Sequence, residues 1–249
     1  MIEVRDLRKS FGPKPVLAGV SFAVETGESV VVIGRSGGGK SILLKHLIGL
    51  LQPDAGEVRV DGQNLERMNE RQLLEVRRKF GMLFQSAALF DSLTVADNVG
   101  FVLRREGTLS PAEIDRRIEE ALAVVELPGT QTMKPAELSG GMRKRVGLAR
   151  AIVYRPRIIL YDEPTTGLDP IVADSIDQLI LRVCRHLQVT SVVVTHDMRS
   201  ARRVGQRILM LHQGRLHASG TPDEIFASSD PVVRQFVLGI ADPPKEPLL

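Results

Sequence analysis

Three uninterrupted apolar runs, rich in β-branched residues, stand out from an otherwise mixed pattern: SVVVIG (29–34), RIILYD (157–162) and TSVVVTH (190–196). Continuous runs of this kind predict strands of a parallel sheet covered by helices on both faces. Each run passes at its carboxyl end into a chemically distinct residue: Gly34, the pair Asp162-Glu163, or His196. Open α/β sheets bind ligands at the carboxyl ends of their strands, so three distant segments are expected to deliver chemistry to one edge.

The pattern differs elsewhere. IEVRDL, VLAGVSFAV and GEVRVDG near the N-terminus alternate and are punctuated by turn residues, which predicts a small antiparallel sheet. SPAEIDRRIEEALAVVEL opens with Ser110-Pro111 and places Ile114, Ile118, Leu122 and Val125 at helical spacing. Residues 86–157 therefore read as a helical subdomain inserted into an α/β core formed by 1–85 and 158–239. The remaining 240–249 is too rich in proline for regular structure. A helix start at Asp230-Pro231 precedes it.

The bulk numbers narrow the function. A hydrophobic fraction of 43% with 25% charged residues fits a folded globular chain of 249 residues. A net charge of +3, with arginines scattered in pairs such as Arg104-Arg105, Arg116-Arg117 and Arg202-Arg203, offers no footprint for nucleic acid. Those pairs read as solvated helix faces. The single Cys184 excludes an internal disulfide or a cysteine-built metal site, and its apolar surroundings predict a buried small hydrophobe. No stretch approaches the roughly 18 apolar residues of a membrane span. The expectation is a soluble, cytoplasmic chain that meets any membrane through a partner.

GRSGGGKS fits G-x-x-x-x-G-K-[ST] and lies directly after a predicted strand and before a predicted helix. Glycines let backbone N–H groups curl around a phosphate, and the helix N-terminus adds a favourable dipole. Gly34, Arg35, Ser36, Gly37, Gly38, Gly39, Lys40, Ser41 and Ile42 are thus expected to hold the phosphates of a nucleotide. Lys40 would reach the β- and γ-phosphates, and Ser41 would ligate Mg²⁺. Asp162 is placed to hold the metal shell. Glu163 is the candidate to polarise an attacking water. The absence of an N-K-x-D motif favours ATP over GTP.

A second glycine turn, LSGGMRKRVGLARA (138–151), opens another predicted helix. Arg143, Lys144 and Arg145 in its first turn oppose the helix dipole by a few tenths of a kcal/mol each, which is tolerable on a wet surface. An anion docked on Ser139, Gly140 and Gly141 would make the arrangement favourable. Since the first loop already encloses its own nucleotide, the second is expected to grip the γ-phosphate held by another copy of the chain. Two such contacts make an isologous dimer with two ATP molecules between the copies.

With these motifs in order, the chain resembles the nucleotide-binding subunit of an ABC transporter over essentially its whole length. GRSGGGKS resembles Walker A, LSGGM the ABC signature, IILYDE Walker B with its catalytic glutamate, and GLDP (167–170) the D-loop. The resemblance implies a P-loop NTPase (RecA-like) core. It also implies that Phe11 stacks on adenine, Gln85 senses the γ-phosphate through Mg²⁺ or water, His196 contacts the γ-phosphate, and Asp169 bridges the two copies. His46, His186, His212 and His217 lack such settings and read as structural.

SGGMRKRVGLARA carries Met142 and Lys144 where many importer ATPases have polar amides. With FQSAALFDSLTVADNVGF, LYDEPTTGLDPI and DPVVRQFVLG it resembles the ATPases of MCE-type phospholipid transporters, the Mla systems. That resemblance implies a homodimer on the cytoplasmic face of the inner membrane. Its partners would be a transmembrane permease dimer, a periplasmic MCE protein and a small STAS-type regulator. Two rivals remain: an ABC ATPase for another cargo such as an amino acid, a metal or lipoprotein, and a soluble ABC ATPase acting on nucleic acid or ribosomes. The tail is expected either to be disordered or to lie across the other subunit.

Overall fold

The computed structural model describes residues 1–241, so the expectation for the tail from Asp242 onwards lies outside the described residues. Two sheets form the scaffold. The smaller is antiparallel, in the order β2-β1-β4-β5, from β1 (Ile2–Phe11), β2 (Lys14–Val24), β4 (Ala55–Val60) and β5 (Gln63–Asn64).

The larger sheet contains β3 (Ser29–Ile33), β6 (Phe80–Leu83), β7 (Ile158–Asp162), β8 (Thr190–Val194), β9 (Arg207–His212) and β10 (Arg215–Gly220). Its order is β10-β9-β3-β8-β7-β6, parallel throughout except for β10. The three apolar runs of the sequence are its β3, β7 and β8.

Alternation explains why those runs are apolar throughout. Val31, Ile33, Ile159, Tyr161 and Val193 point into one hydrophobic cluster. Val30, Val32, Ile158, Leu160, Val192 and Val194 point into the other. Both faces are covered, so the central strand positions are apolar on either side.

The second cluster is closed by the antiparallel sheet and by α1 (Lys40–Leu47) and α2 (Glu70–Arg77), through Leu43, Leu44, Leu47, Leu73 and Val76. The first is closed by α3 (Val95–Glu106), α4 (Pro111–Val124), α5 (Gly140–Ile152), α6 (Pro170–Leu187), α7 (Met198–Val204) and the C-terminal α8 (Pro222–Phe226) and α9 (Pro231–Val237). The helical starts read from sequence hold: Ser110 caps α4 with Pro111 in its first turn, and Asp230 caps α9. Cys184 is partly buried against the first cluster, its Sγ 4.0 Å from Tyr161 Oη, and burial raises its thiol pKa.

The apolar cluster under α3 and α4 continues through α5 into the large sheet. Two glycines permit that close approach. A Cβ on Gly81 of β6 would collide with the Ala151 carbonyl, and one on Gly147 of α5 would lie 2.8 Å from Leu83 Cδ1. The helix carrying the second glycine turn is therefore seated directly on β6.

Candidate nucleotide site

The carboxyl ends of β3, β7 and β8 bring Lys40, Ser41, Asp162, Glu163 and His196 together. After β3 the chain turns through Gly34, Gly37 and Gly39, all at positive φ (154°, 73° and 96°). A side chain on Gly34 would run into the Leu211 carbonyl, whereas the space beside Gly37 is open. The turn then feeds α1, whose N-cap is Gly39. Every other described α-helix receives a side-chain hydrogen bond at its cap; α1 has none and no acidic residue in its first turn. An uncapped helix start under an open glycine loop fits a phosphate.

Lys40 is buried, and its ammonium donates to the Gly34 carbonyl at 2.9 Å and the Arg35 carbonyl at 3.3 Å. It also lies 3.6 Å from Glu163 Oε1. Ser41 Oγ donates to Asp162 Oδ1 at 2.8 Å. Burial raises the Asp162 carboxyl pKa, against the Ser41 hydrogen bond that lowers it. A hydroxyl and a buried carboxylate sharing one edge form an oxygen set suited to a hard divalent cation.

Glu163 is the hub. It has φ 50° and is largely buried. Its Oε2 lies 2.7 Å from His196 Nδ1 and accepts from the His196 backbone N–H at 3.3 Å and Thr166 Oγ1 at 3.1 Å. An ionised carboxylate only accepts, so Nδ1 is the donor in this pair. Side chain and backbone of His196 are thus fixed by one carboxylate, while half of the His196 side chain stays exposed. Thr166 was not singled out from sequence; its signal was the spacing of three residues after Glu163, the reach of a tight turn.

Lys144 departs from the sequence expectation of a wet helix face. It is 5% exposed. Its ammonium donates to the Glu163 carbonyl at 3.2 Å and, more closely, to the Gln85 carbonyl. Desolvation lowers its pKa, against the nearby charges of Glu163 and Asp162. The legible signal was helical phase: Lys144 shares one face of α5 with Gly141, Leu148 and Ala151, all buried. Arg143 and Arg145 are also engaged, with the Leu138 carbonyl and with Val125, Glu126 and Ser175 respectively.

The second glycine turn is a helix start with Ser139 exposed, Gly140 half-buried and Gly141 buried. Ser139 caps α5, its hydroxyl accepting from Met142 N–H at 3.2 Å. Gly140 and Gly141 pack on Leu168 and Val172. Asp169 caps α6 through one oxygen, which accepts from Ile171 and Val172 N–H at 3.0 Å.

Phe11 ends β1 with its ring 48% exposed, and β2 of the same hairpin carries Val16 and Leu17 against Gly39. Gln85 lies in an exposed loop after β6. No helix among the described residues is long and apolar enough to cross a membrane.

Glycine loop, strand-end carboxylates and sheet order together define an α/β P-loop ATPase. The family model for ABC transporters matches residues 17–166, and the chain belongs to that family. A dimeric ATP-binding cassette bound to ADP and Pi superposes with a TM-score of 0.81 at 34% identity, covering 89% of this chain and 99% of that one. The Haemophilus influenzae intermembrane phospholipid transport system ATP-binding protein MlaF is 38% identical over 98% of this chain and 92% of its own length. The Mycobacterium tuberculosis probable ribonucleotide transport ATP-binding protein mkl is 43% identical over 96% of this chain, which spans 66% of that relative. The chain is the ATP-hydrolysing subunit of an ABC transporter.

Proposed function

We propose that this chain works as a homodimer that closes around two ATP molecules and powers movement of phospholipid between membranes. The observation that supports the ATP-sandwich reading is that Ser139 and Gly140 leave the start of α5 accessible, with Gly141 buried behind them, while the P-loop of the same chain is a separate, uncapped helix start. Ile171, beside Asp169, is 82% exposed, an apolar contact for a second copy. The lipid reading is supported by similarity to the phospholipid-transport relative along nearly the full length of both chains. The relative named for ribonucleotide transport keeps a different cargo as the rival.

In the bound state, Gly34, Arg35, Ser36, Gly37, Gly38, Gly39, Lys40, Ser41 and Ile42 hold the phosphates. Phe11 faces the adenine. Ser41, Asp162 and Gln85 would hold Mg²⁺, which would supply positive charge to the phosphate oxygens. Glu163 orients and deprotonates water, and His196 presents Nε2 towards the γ-phosphate. Lys40 exchanges its carbonyl partners for phosphate oxygens, freeing Glu163 from the pair at 3.6 Å. Ser139, Gly140 and Gly141 complete the partner's site.

The assembly we infer is peripheral to the cytoplasmic face of the inner membrane, with a permease dimer, an MCE protein and a STAS-type regulator. The test is to tag the chain in its own cell, extract membranes in mild detergent, and identify the co-purifying proteins and lipids. A polytopic permease with an MCE protein and phospholipid supports the reading. A different permease changes the cargo, and recovery only with ribosomes or DNA overturns transport.

A further inference from the structure

One face of α5 is clamped to the loop after β6 at three successive steps. Lys144 donates to the Gln85 carbonyl. Gly147 packs against Leu83 and Ala87. Arg150 donates to the Ala87 carbonyl at 2.6 Å and the Ala88 carbonyl at 2.7 Å. Ala87 and Ala88 both sit at positive φ (60° and 48°), a conformation that costs energy for residues with a Cβ and persists only where neighbours enforce it. Helix and loop are therefore joined as one piece.

Lys144 alone among these contacts also reaches the catalytic strand end, through the Glu163 carbonyl at 3.2 Å. Glu163 is itself left-handed at φ 50°, and its carboxylate holds His196. A buried ammonium with two carbonyl acceptors on separate segments is a directional tie, since losing it strands polar groups away from water.

We propose that Lys144 is a positioning residue for hydrolysis. It ties the α5–Gln85 piece to the Glu163 backbone, so that a displacement of that piece is transmitted to the catalytic carboxylate. The inference rests on Glu163 acting in the reaction as read above. Many importer ATPases, as noted, carry an amide in this part of the motif, a side chain that also donates.

The test uses the full chain with Lys144→Met and Lys144→Gln, measuring steady-state ATP hydrolysis, nucleotide binding, melting temperature and hydrogen exchange of the nucleotide-free protein. Lys144→Met is expected to lower kcat about tenfold or more with KM for ATP held within about threefold, the signature of a lost transition-state contribution. Exchange in the segment 163–166 should quicken. Lys144→Gln, one atom shorter but still a donor, should lie between, about threefold below the parent.

Unchanged kcat in Lys144→Met overturns the proposal, as does parallel loss of kcat, binding and melting temperature. Should Lys144→Met fail to fold, unchanged kcat and exchange in Lys144→Gln overturn it equally. Altered exchange with unchanged kcat leaves a structural tie and removes the positioning role. Undiminished turnover in Glu163→Gln instead removes the reading of Glu163 itself.

Discussion

His196 Nδ1 lies 2.7 Å from Glu163 Oε2, and the same oxygen accepts the His196 backbone N–H at 3.3 Å. The carboxylate at the end of β7 thereby fixes the orientation of the imidazole after β8. His196→Ala removes the group proposed to meet the γ-phosphate but leaves Glu163 with its Thr166 bond. The expected result is a kcat lowered about ten- to a hundredfold with ATP binding retained, read by single-turnover kinetics against a nucleotide-binding titration.

Lys40→Ala takes a buried ammonium from between two carbonyls and Glu163. On the proposed phosphate role, transition-state charge on the γ-phosphate loses this cation. Hydrolysis should fall by at least about a hundredfold. Persistent turnover in a clean preparation would remove the phosphate role from this lysine.

The sandwich makes a mixing prediction. Lys40→Ala spoils the loop of its own nucleotide, while Ser139→Ala spoils the turn offered to a partner and costs about 1 kcal/mol of helix capping. Each variant alone should be nearly inactive. Mixed, they form heterodimers in which one site pairs an intact loop with an intact turn, so activity should partly return. Mixtures no more active than their components contradict sharing between copies.

Asp177 supplies a pH signature away from the nucleotide. It lines a cleft of about 750 Å³ between α6 and α7 and accepts from Ser200 Oγ at 2.7 Å. Desolvation raises its carboxyl from 3.8 to about 6. Between those values the native state keeps a proton that the unfolded chain has released. Stability from this group therefore falls as pH rises through the window and is flat above it. The span is worth about 3 kcal/mol. Asp177→Asn should melt higher than the parent at pH 7.5, with the difference shrinking towards pH 4; an equal difference at both pH values would contradict the assignment.

Much of this was legible before any coordinates. Apolar runs two-sided by alternation identified β3, β7 and β8, because a strand buried on both faces leaves a period-free signal. Ser110-Pro111 and Asp230-Pro231 marked helix starts through local chemistry alone. Lys144 and Thr166 were missed for different reasons. By charge alone the lysine reads as a surface cation, and its acceptors, the Gln85 and Glu163 carbonyls, are remote in sequence. Backbone acceptors carry no side-chain signature. Thr166 was hidden by the left-handed turn at Glu163, which composition does not announce.

Closure of two copies around ATP, with Glu163 driving hydrolysis, is read most directly from the molar mass of Glu163→Gln by light scattering with and without ATP and Mg²⁺. The expected result is a monomer without nucleotide and a stable dimer holding two ATP molecules with it. A Glu163→Gln chain that binds ATP yet stays monomeric, with its membrane partner present as well as absent, would contradict it.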